Sequence, residues 1–179
     1  MRGLLKFIGA LAIAIVLMMV FRAVVLTVYT VEGEALAPVL KSGDRVLVNR
    51  WSYGFRVGGE GSLLGYSRLL QRSVSRGDIV AFNDPRCDDD VLICRCTALP
   101  GDTISHNGEL LVVPSREQCA DADYFWFESL SNDHPFDSHQ LGFISEQNII
   151  GRVTMVLYNH HPDSSIFKGW NSDRLFLPL

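Results

Sequence analysis

The sequence predicts a mainly β domain, of the sandwich or barrel-like kind, that follows one N-terminal transmembrane helix. Three observations predict this arrangement: an apolar segment at residues 4–21, short runs of β-branched and apolar residues through the remainder, and Gly, Pro, Asn and Asp between those runs. The chain has 179 residues, which allows one hydrophobic core rather than two. We therefore expect an anchor over residues 1–22 and a β domain over residues 23–179.

The predicted anchor at residues 4–21 reads LLKFIGALAIAIVLMMVF, and its only charge, Lys6, lies near one end, where a lysine reaches the lipid headgroups. The run is close to the ~18–20 residues that cross a bilayer. A cleaved secretory signal is one alternative, but the residues after Arg22 are β-branched and offer no small-residue cleavage site. A buried core helix is another, but no amphipathic partner helix follows. We expect a single-pass protein of the inner membrane, with the C-terminal domain outside the cytoplasm.

The remainder of the chain predicts short strands. They lie at 23–31, 45–49, 78–82, 91–98, 109–113, 124–128 and 152–158. Residues 52–75 are rich in glycine and serine and predict an exposed loop with a short helical piece at 67–71. Many short strands without a long amphipathic helix favour an all-β sandwich or barrel.

Charge and cysteine content exclude some function classes. The net charge of -4, with no basic run, argues against nucleic-acid binding. No CxxC pair is present, so neither a metal site nor a cofactor is indicated. Cys94 and Cys96 would share one face of a strand. Outside the cytoplasm, Cys87 and Cys119 are the first candidates for a disulfide; the alternative is free thiols that pack as small hydrophobic groups.

Several short boxes occur in order along the chain. They are Phe21-Arg22, Val31-x-Gly33-x-Ala35-Leu36-x-Pro38 continuing to Gly43-Asp44 and Val48-Asn49, Ser52-Tyr53-Gly54, RGDIVAF at 76–82, CRCTALPGDTI at 94–104, Asp137-Ser138, Gly142-Phe143, Asn148 to Gly151, Trp170-Asn171 and Arg174. In this order and with these gaps, the chain resembles the bacterial type I signal peptidases, membrane-anchored serine proteases that cut signal peptides from exported proteins. The resemblance covers almost the whole chain and implies a β domain whose active edge lies near the lipid surface.

The resemblance also implies which residues would carry the chemistry. The family uses a serine nucleophile and a buried neutral lysine as its base. Ala35 stands at the serine position, Cys94 at the lysine position, and Pro135 where a supporting serine belongs. We therefore predict a homologue with no intact catalytic residue, a pseudoenzyme without useful peptidase activity.

A peptide groove can outlast the lost catalytic pair. In the family the substrate lies extended beside the catalytic residues and pairs with neighbouring strands. The matching positions here are Val31, Leu36, Leu92 and Ile93, all apolar. They would form shallow pockets for small side chains, or they simply fill the core. The partners that this hypothesis implies are signal-peptide-like segments or an active signal peptidase.

Two other functions remain open from the sequence. One is an active signal peptidase with a rearranged site that uses Cys94, helped by Cys96 or by a histidine from the 134–139 loop. The other is a purely structural part of an envelope assembly. A thiol needs a nearby base or positive charge to become a nucleophile. An active peptidase that uses Cys94 would therefore need such a group beside the thiol, whereas a binding protein would not.

Overall fold

The computed structural model describes residues 2–57, 67–119, 122–130, 136–160 and 170–179. Its helices are α1 (Arg2–Val25) and the short α2 (Ser138–Leu141). Its strands are β1 (Leu26–Thr30), β2 (Asp44–Asn49), β3 (Phe55–Val57), β4 (Ser67–Leu69), β5 (Ile79–Asp84), β6 (Cys87–Ala98), β7 (Thr103–His106), β8 (Glu109–Val112), β9 (Tyr124–Glu128), β10 (Ile144–Ser145), β11 (Ile149–His160), β12 (Trp170–Asn171) and β13 (Leu177–Pro178). The mainly β class predicted from the sequence is confirmed.

Helix α1 covers the predicted anchor and ends at Val25, where β1 begins without a linker. Apolar side chains along it are exposed; they include Phe7, Leu11, Ile13, Leu17 and Met18. Within the described ranges, none of the helices combines the length and the apolar character that crossing a bilayer requires. The transmembrane anchor therefore stays a prediction.

Nine of the described strands form one antiparallel sheet. Its order is β1-β2-β11-β5-β6-β9-β10, with β12 and β13 paired to β11. The hairpins β3–β4 and β7–β8 are separate two-stranded sheets. The two long strands, β6 and β11, each have 12 residues and connect the parts of the large sheet.

Hydrophobic clusters pack on this sheet. One contains Phe82 and Phe127, whose rings stack with centroids 4.9 Å apart, together with Cys94 and Cys96. A second is formed by Val31, Leu36, Leu40, Val46, Val48, Ala81, Ile150, Val153 and Val156. Strand β6 contributes to both, because neighbouring side chains on a strand point to opposite faces.

The segment predicted as loop contains a hairpin instead. The short helical piece expected at 67–71 is wrong, since Ser67–Leu69 pairs with Phe55–Val57 as β4 with β3. The guanidinium of Arg68 donates to the carbonyls of Glu146 (3.0 Å) and Ile149 (2.6 Å), which ties the hairpin to the large sheet. Residues 58–66 of the predicted loop lie outside the described residues.

Candidate functional site

A cleft of about 660 Å³ lies between the segment after β1 and the first half of β6. Its lining is Tyr29, Thr30, Val31, Glu32, Gly33, Ala35, Leu36, Asp84, Asp90, Val91, Leu92, Ile93, Cys94 and Phe136. The structure thus brings together six of the residues that sequence analysis singled out, the two at the catalytic positions and the four of the expected groove. Their roles in binding remain to be tested.

Ala35 sits in the turn that follows β1. Gly33 allows this turn, because its φ of 77° lies in the left-handed region that glycine tolerates. The carbonyl oxygen of Ala35 accepts hydrogen bonds from Ser129 Oγ (2.5 Å) and from the Leu130 N–H (2.8 Å). The segment after β9 therefore holds the turn in place. The side chain that Ala35 presents to the cleft is a methyl group, which cannot attack a carbonyl.

Cys94 lies in the middle of β6 and is 2% exposed. Its thiol donates to the carbonyl oxygen of Phe136, with a sulfur-to-oxygen distance of 3.6 Å. Burial, and secondarily the charge of Asp137, raise the pKa of Cys94 to about 12. The thiol therefore stays protonated near neutral pH, and its hydrogen bond stabilises that form.

The candidates for activating Cys94 are occupied elsewhere. Cys96 donates to the Ala98 carbonyl at 3.7 Å, and burial and the carboxylate of Asp78 raise its pKa to about 12. His139 faces Glu128 at 3.5 Å and His106 at 3.4 Å. His134 and Pro135, the other residues that sequence analysis named in this loop, lie outside the described residues.

All four cysteines are free thiols. The disulfide between Cys87 and Cys119 considered from the sequence is not formed. Cys87 is exposed at the start of β6, whereas Cys94 and Cys96 are buried in the core. The alternative, in which free cysteines pack as small hydrophobic side chains, describes the two buried ones.

The four groove residues belong to the core as well as to the cleft. Val31 and Leu36 are buried, at 8% and 2% exposure, in the second hydrophobic cluster. Ile93 packs against the same cluster, while Leu92 packs against the cluster that contains Cys94. Core filling therefore describes the packing of these positions, and their part in a peptide groove stays a prediction.

One edge of β6 is open where it borders the cleft. On one side β6 pairs with β5 from Val91 to Arg95. On the other side β9 pairs with β6 only from Arg95 onward, at Arg95–Glu128. Among the described strands none pairs with residues 91–94 on that second side.

The polar groups of the cleft are acidic or neutral. Glu32, Asp84 and Asp90 line it, and the lining residues include neither lysine nor histidine. The guanidinium of Arg86 holds the carboxylate of Asp84 at 2.9 Å and lowers its pKa. Hence the described lining offers no amine or imidazole that could take a proton from a nucleophile.

Residues that match the family outside the catalytic positions have structural partners. The carboxylate of Asp44 is completely buried and accepts from the Arg174 Nε and Nη2, at 2.9 and 2.6 Å, and from Asn159 at 2.8 Å. The carboxylate of Asp102 accepts from the Leu99 N–H and from Arg76, both at 2.6 Å. These motif residues hold turns together.

Sequence analysis missed several residues around the cleft. Asp84 lies beyond the strand predicted at 78–82, but β5 extends through it. Phe136 and Ser129 reach the site from the region of β9 and α2, roughly a hundred positions after Ala35. Their only sequence signal is their place between two boxes, which carries no information on contact. Within the described ranges there is no group of three or more His, Cys, Asp and Glu side chains that could hold a metal.

Comparison with known proteins identifies the family. A signal peptidase IB of Staphylococcus aureus strain MRSA252 is 26% identical over an alignment of 205 positions, gaps included. The alignment covers 92% of this chain and 98% of that protein. Mitochondrial inner membrane protease subunit 2 of Mus musculus is 29% identical over 136 residues, or 72% of this chain and 65% of that protein. The family model described as signal peptidase, peptidase S26, matches residues 4–124. Because that match extends over more than half of the chain, the protein belongs to the signal peptidase S26 family.

Proposed function

We propose that this protein is a catalytically inactive member of the signal peptidase family that binds extended peptide segments in the cleft. The observation that carries the proposal is the meeting of Ala35 and Cys94 in one cleft beside an unpaired stretch of β6. The two catalytic positions hold a methyl group and a protonated thiol. The unpaired stretch of β6 supports the binding of a peptide backbone there.

The loss of chemistry is argued from what each side chain can do. Without a nucleophile no covalent acyl intermediate forms, and without a base no proton is taken from an attacking water. In serine hydrolases that lose their catalytic triad, binding and the oxyanion hole alone leave roughly 10³–10⁴-fold acceleration over water. Such residual activity is far below the rate at which an enzyme hydrolyses a peptide bond.

Peptide binding would use strand addition. A peptide laid along residues 91–94 would pair its backbone with the open edge of β6, while its alternate side chains would face the apolar walls. Val31 and Leu36 are already packed in the core. The pockets that they border are therefore shallow, which suits small side chains such as those of signal-peptide-like segments.

The proposed location is the inner membrane, with one pass through α1 and the β domain outside the cytoplasm. The apolar sequence of residues 4–21 and the exposed apolar side chains of α1 support it. The mouse relative is by name a protease of an inner membrane. Partners at such a place would be exported preproteins or an active signal peptidase.

The test is a preprotein cleavage assay beside an active relative, combined with a binding measurement. We expect no processing above background, and crosslinking of an extended peptide to residues of the cleft. Cleavage at an enzyme-like rate would contradict the proposal; if that cleavage disappeared in Cys94→Ala, the rearranged protease would be the correct function. Absence of both cleavage and peptide binding would favour the purely structural role.

A matched variant tests the groove separately from the chemistry. The Cys96 N–H donates to the Asp78 carbonyl on the β5 side, so by alternation the Leu92 N–H also points to β5 and the Ile93 N–H points to the unpaired edge. Ile93→Pro removes that donor and should abolish peptide crosslinking. Ile93→Val keeps the backbone donor and should bind normally. The far-UV circular dichroism of both variants checks that the sheet is retained, and equal crosslinking by two folded variants would argue against strand addition.

A further inference from the structure

Two histidines face each other at a distance from the cleft. His106 ends β7 and His139 lies in α2, 33 positions later in the sequence, and their Nδ1 atoms are 3.4 Å apart. Both side chains are accessible, with His139 51% exposed. Nothing in the proposed peptide cleft uses either of them.

The separation of the two nitrogens fits a shared metal ion. Two imidazole nitrogens bound at ~2.0–2.1 Å to one tetrahedral ion lie about 3.3–3.4 Å apart. The two Nδ1 atoms of His106 and His139 are 3.4 Å apart, which is already the separation that a shared ion would require. The two rings are stacked at 30° with centroids 5.5 Å apart, so both accessible side chains would rotate to direct their lone pairs to one point.

The outer nitrogen of each ring has a polar neighbour. The Asn107 amide lies 3.0 Å from His106 Nε2, and Glu128 Oε1 lies 3.5 Å from His139 Nε2. Glu128 is itself held by the Trp126 indole N–H at 2.9 Å, and the Trp126 ring packs edge-on against both imidazoles. Metal-bound histidines usually have such a partner on the other ring nitrogen, because it sets the tautomer and the ring orientation.

We propose that His106 and His139 form a two-histidine site for a divalent transition-metal ion of the zinc, nickel and copper class. Imidazole suits these ions, and water would complete the coordination. The site would join the β7–β8 hairpin to α2 across β9. With two protein ligands, its affinity would be lower than that of a closed four-ligand zinc site.

The experiment is a calorimetric titration of the full chain in detergent with Zn²⁺. We expect one ion bound per chain, and at least tenfold weaker binding in each of His106→Gln and His139→Gln. Glu128→Gln should weaken binding by about tenfold or more through the lost outer contact. His160→Gln, which alters the third described histidine, is the control and should leave the affinity unchanged.

A second readout guards against variants that fold poorly. Ni²⁺ added to the wild-type chain should broaden the ring-proton NMR signals of His106 and His139 before those of the other histidines. Zn²⁺ should also raise the thermal unfolding midpoint of the wild type and not of His139→Gln. Unchanged affinity in both single histidine variants, or no binding by the folded wild type at millimolar Zn²⁺, would overturn the proposal.

Discussion

Cys94 shows how a side chain that is reactive in principle is kept unreactive by its surroundings. Its sulfur is buried, it donates to the Phe136 carbonyl, and the negative charge of Asp137 acts on it. Each of these features stabilises the thiol over the thiolate. At pH 8 a pKa of about 12 leaves a thiolate fraction on the order of 10⁻⁴.

This environment predicts the order in which the cysteines react. Iodoacetamide at pH 8 should modify the exposed Cys87 in the native protein and leave Cys94 and Cys96 unmodified, because both are buried and have raised pKa values. Mass spectrometry of peptides after timed quenching measures the order. In urea all three should react, which is the control. Rapid native modification of Cys94 would mean that its thiol is accessible and ionised.

At this scale the sequence singled out two positions, Ala35 and Cys94, that the structure places in one cleft, but it did not predict their surroundings. Ala35 and Cys94 were found because the boxes around them keep their spacing. The Ser129 hydroxyl on the Ala35 carbonyl, and the Phe136 carbonyl at the Cys94 thiol, come from a segment whose boxes have diverged. Contacts between distant segments depend on the fold, and local residue patterns do not encode them.

Among the elements, strands with clear apolar alternation or burial were the predictable ones. Strand β9, at Tyr124–Glu128, has the predicted bounds, and β2 begins one residue earlier than predicted. Strand β7, at Thr103–His106, was missed because only alternate residues of it are partly buried. The Asn107-Gly108 pair after it has φ values of 53° and 83°, a tight hairpin turn that the sequence analysis did not predict although Asn-Gly favours it.

The Asp44–Arg174 pair joins two elements and should be important for stability. Both side chains are buried, and removing one partner of a buried ion pair leaves an unpaired charge. We expect Arg174→Ala to lower the free energy of unfolding by about 3–5 kcal/mol. Urea denaturation followed by tryptophan fluorescence measures it.

The exposed Arg76–Asp102 pair is the matched control for that measurement. Its side chains are 62% and 32% exposed, so solvent screens the interaction. Arg76→Ala should cost less than about 1 kcal/mol. Equal losses in Arg174→Ala and Arg76→Ala would show that burial does not set the strength of these pairs.

For the whole molecule, two carboxylates link stability to acid pH. Arg86 lowers the pKa of Asp84, and the Leu99 N–H, followed by Arg76, lowers the pKa of Asp102. A folded-state pKa below the unfolded one stabilises the protein above the ordinary carboxyl pKa of about 3.9. That contribution is lost as the pH falls through the lower folded-state values.

Acid unfolding should therefore respond to Asp102. In Asp102→Asn the urea midpoint should fall less between pH 5 and pH 2 than in the wild type. The reason is that the variant lacks one carboxylate whose pKa is lower in the folded state than in the unfolded state. Asp173→Asn, at an exposed position, is the control and should follow the wild-type curve. Identical curves for Asp102→Asn and the wild type would exclude a contribution of this carboxylate.

The direct junction of α1 and β1 has a geometric consequence for the whole chain. Val25 is the last helical residue, its carbonyl accepts from the Arg50 N–H at 2.9 Å, and Leu26 already pairs with Asn49. From Leu26 to Val31 the chain is extended and rises on the order of 17 Å. Because no residue separates helix and strand, a bilayer around α1 would set the distance of the proposed peptide cleft from the lipid surface.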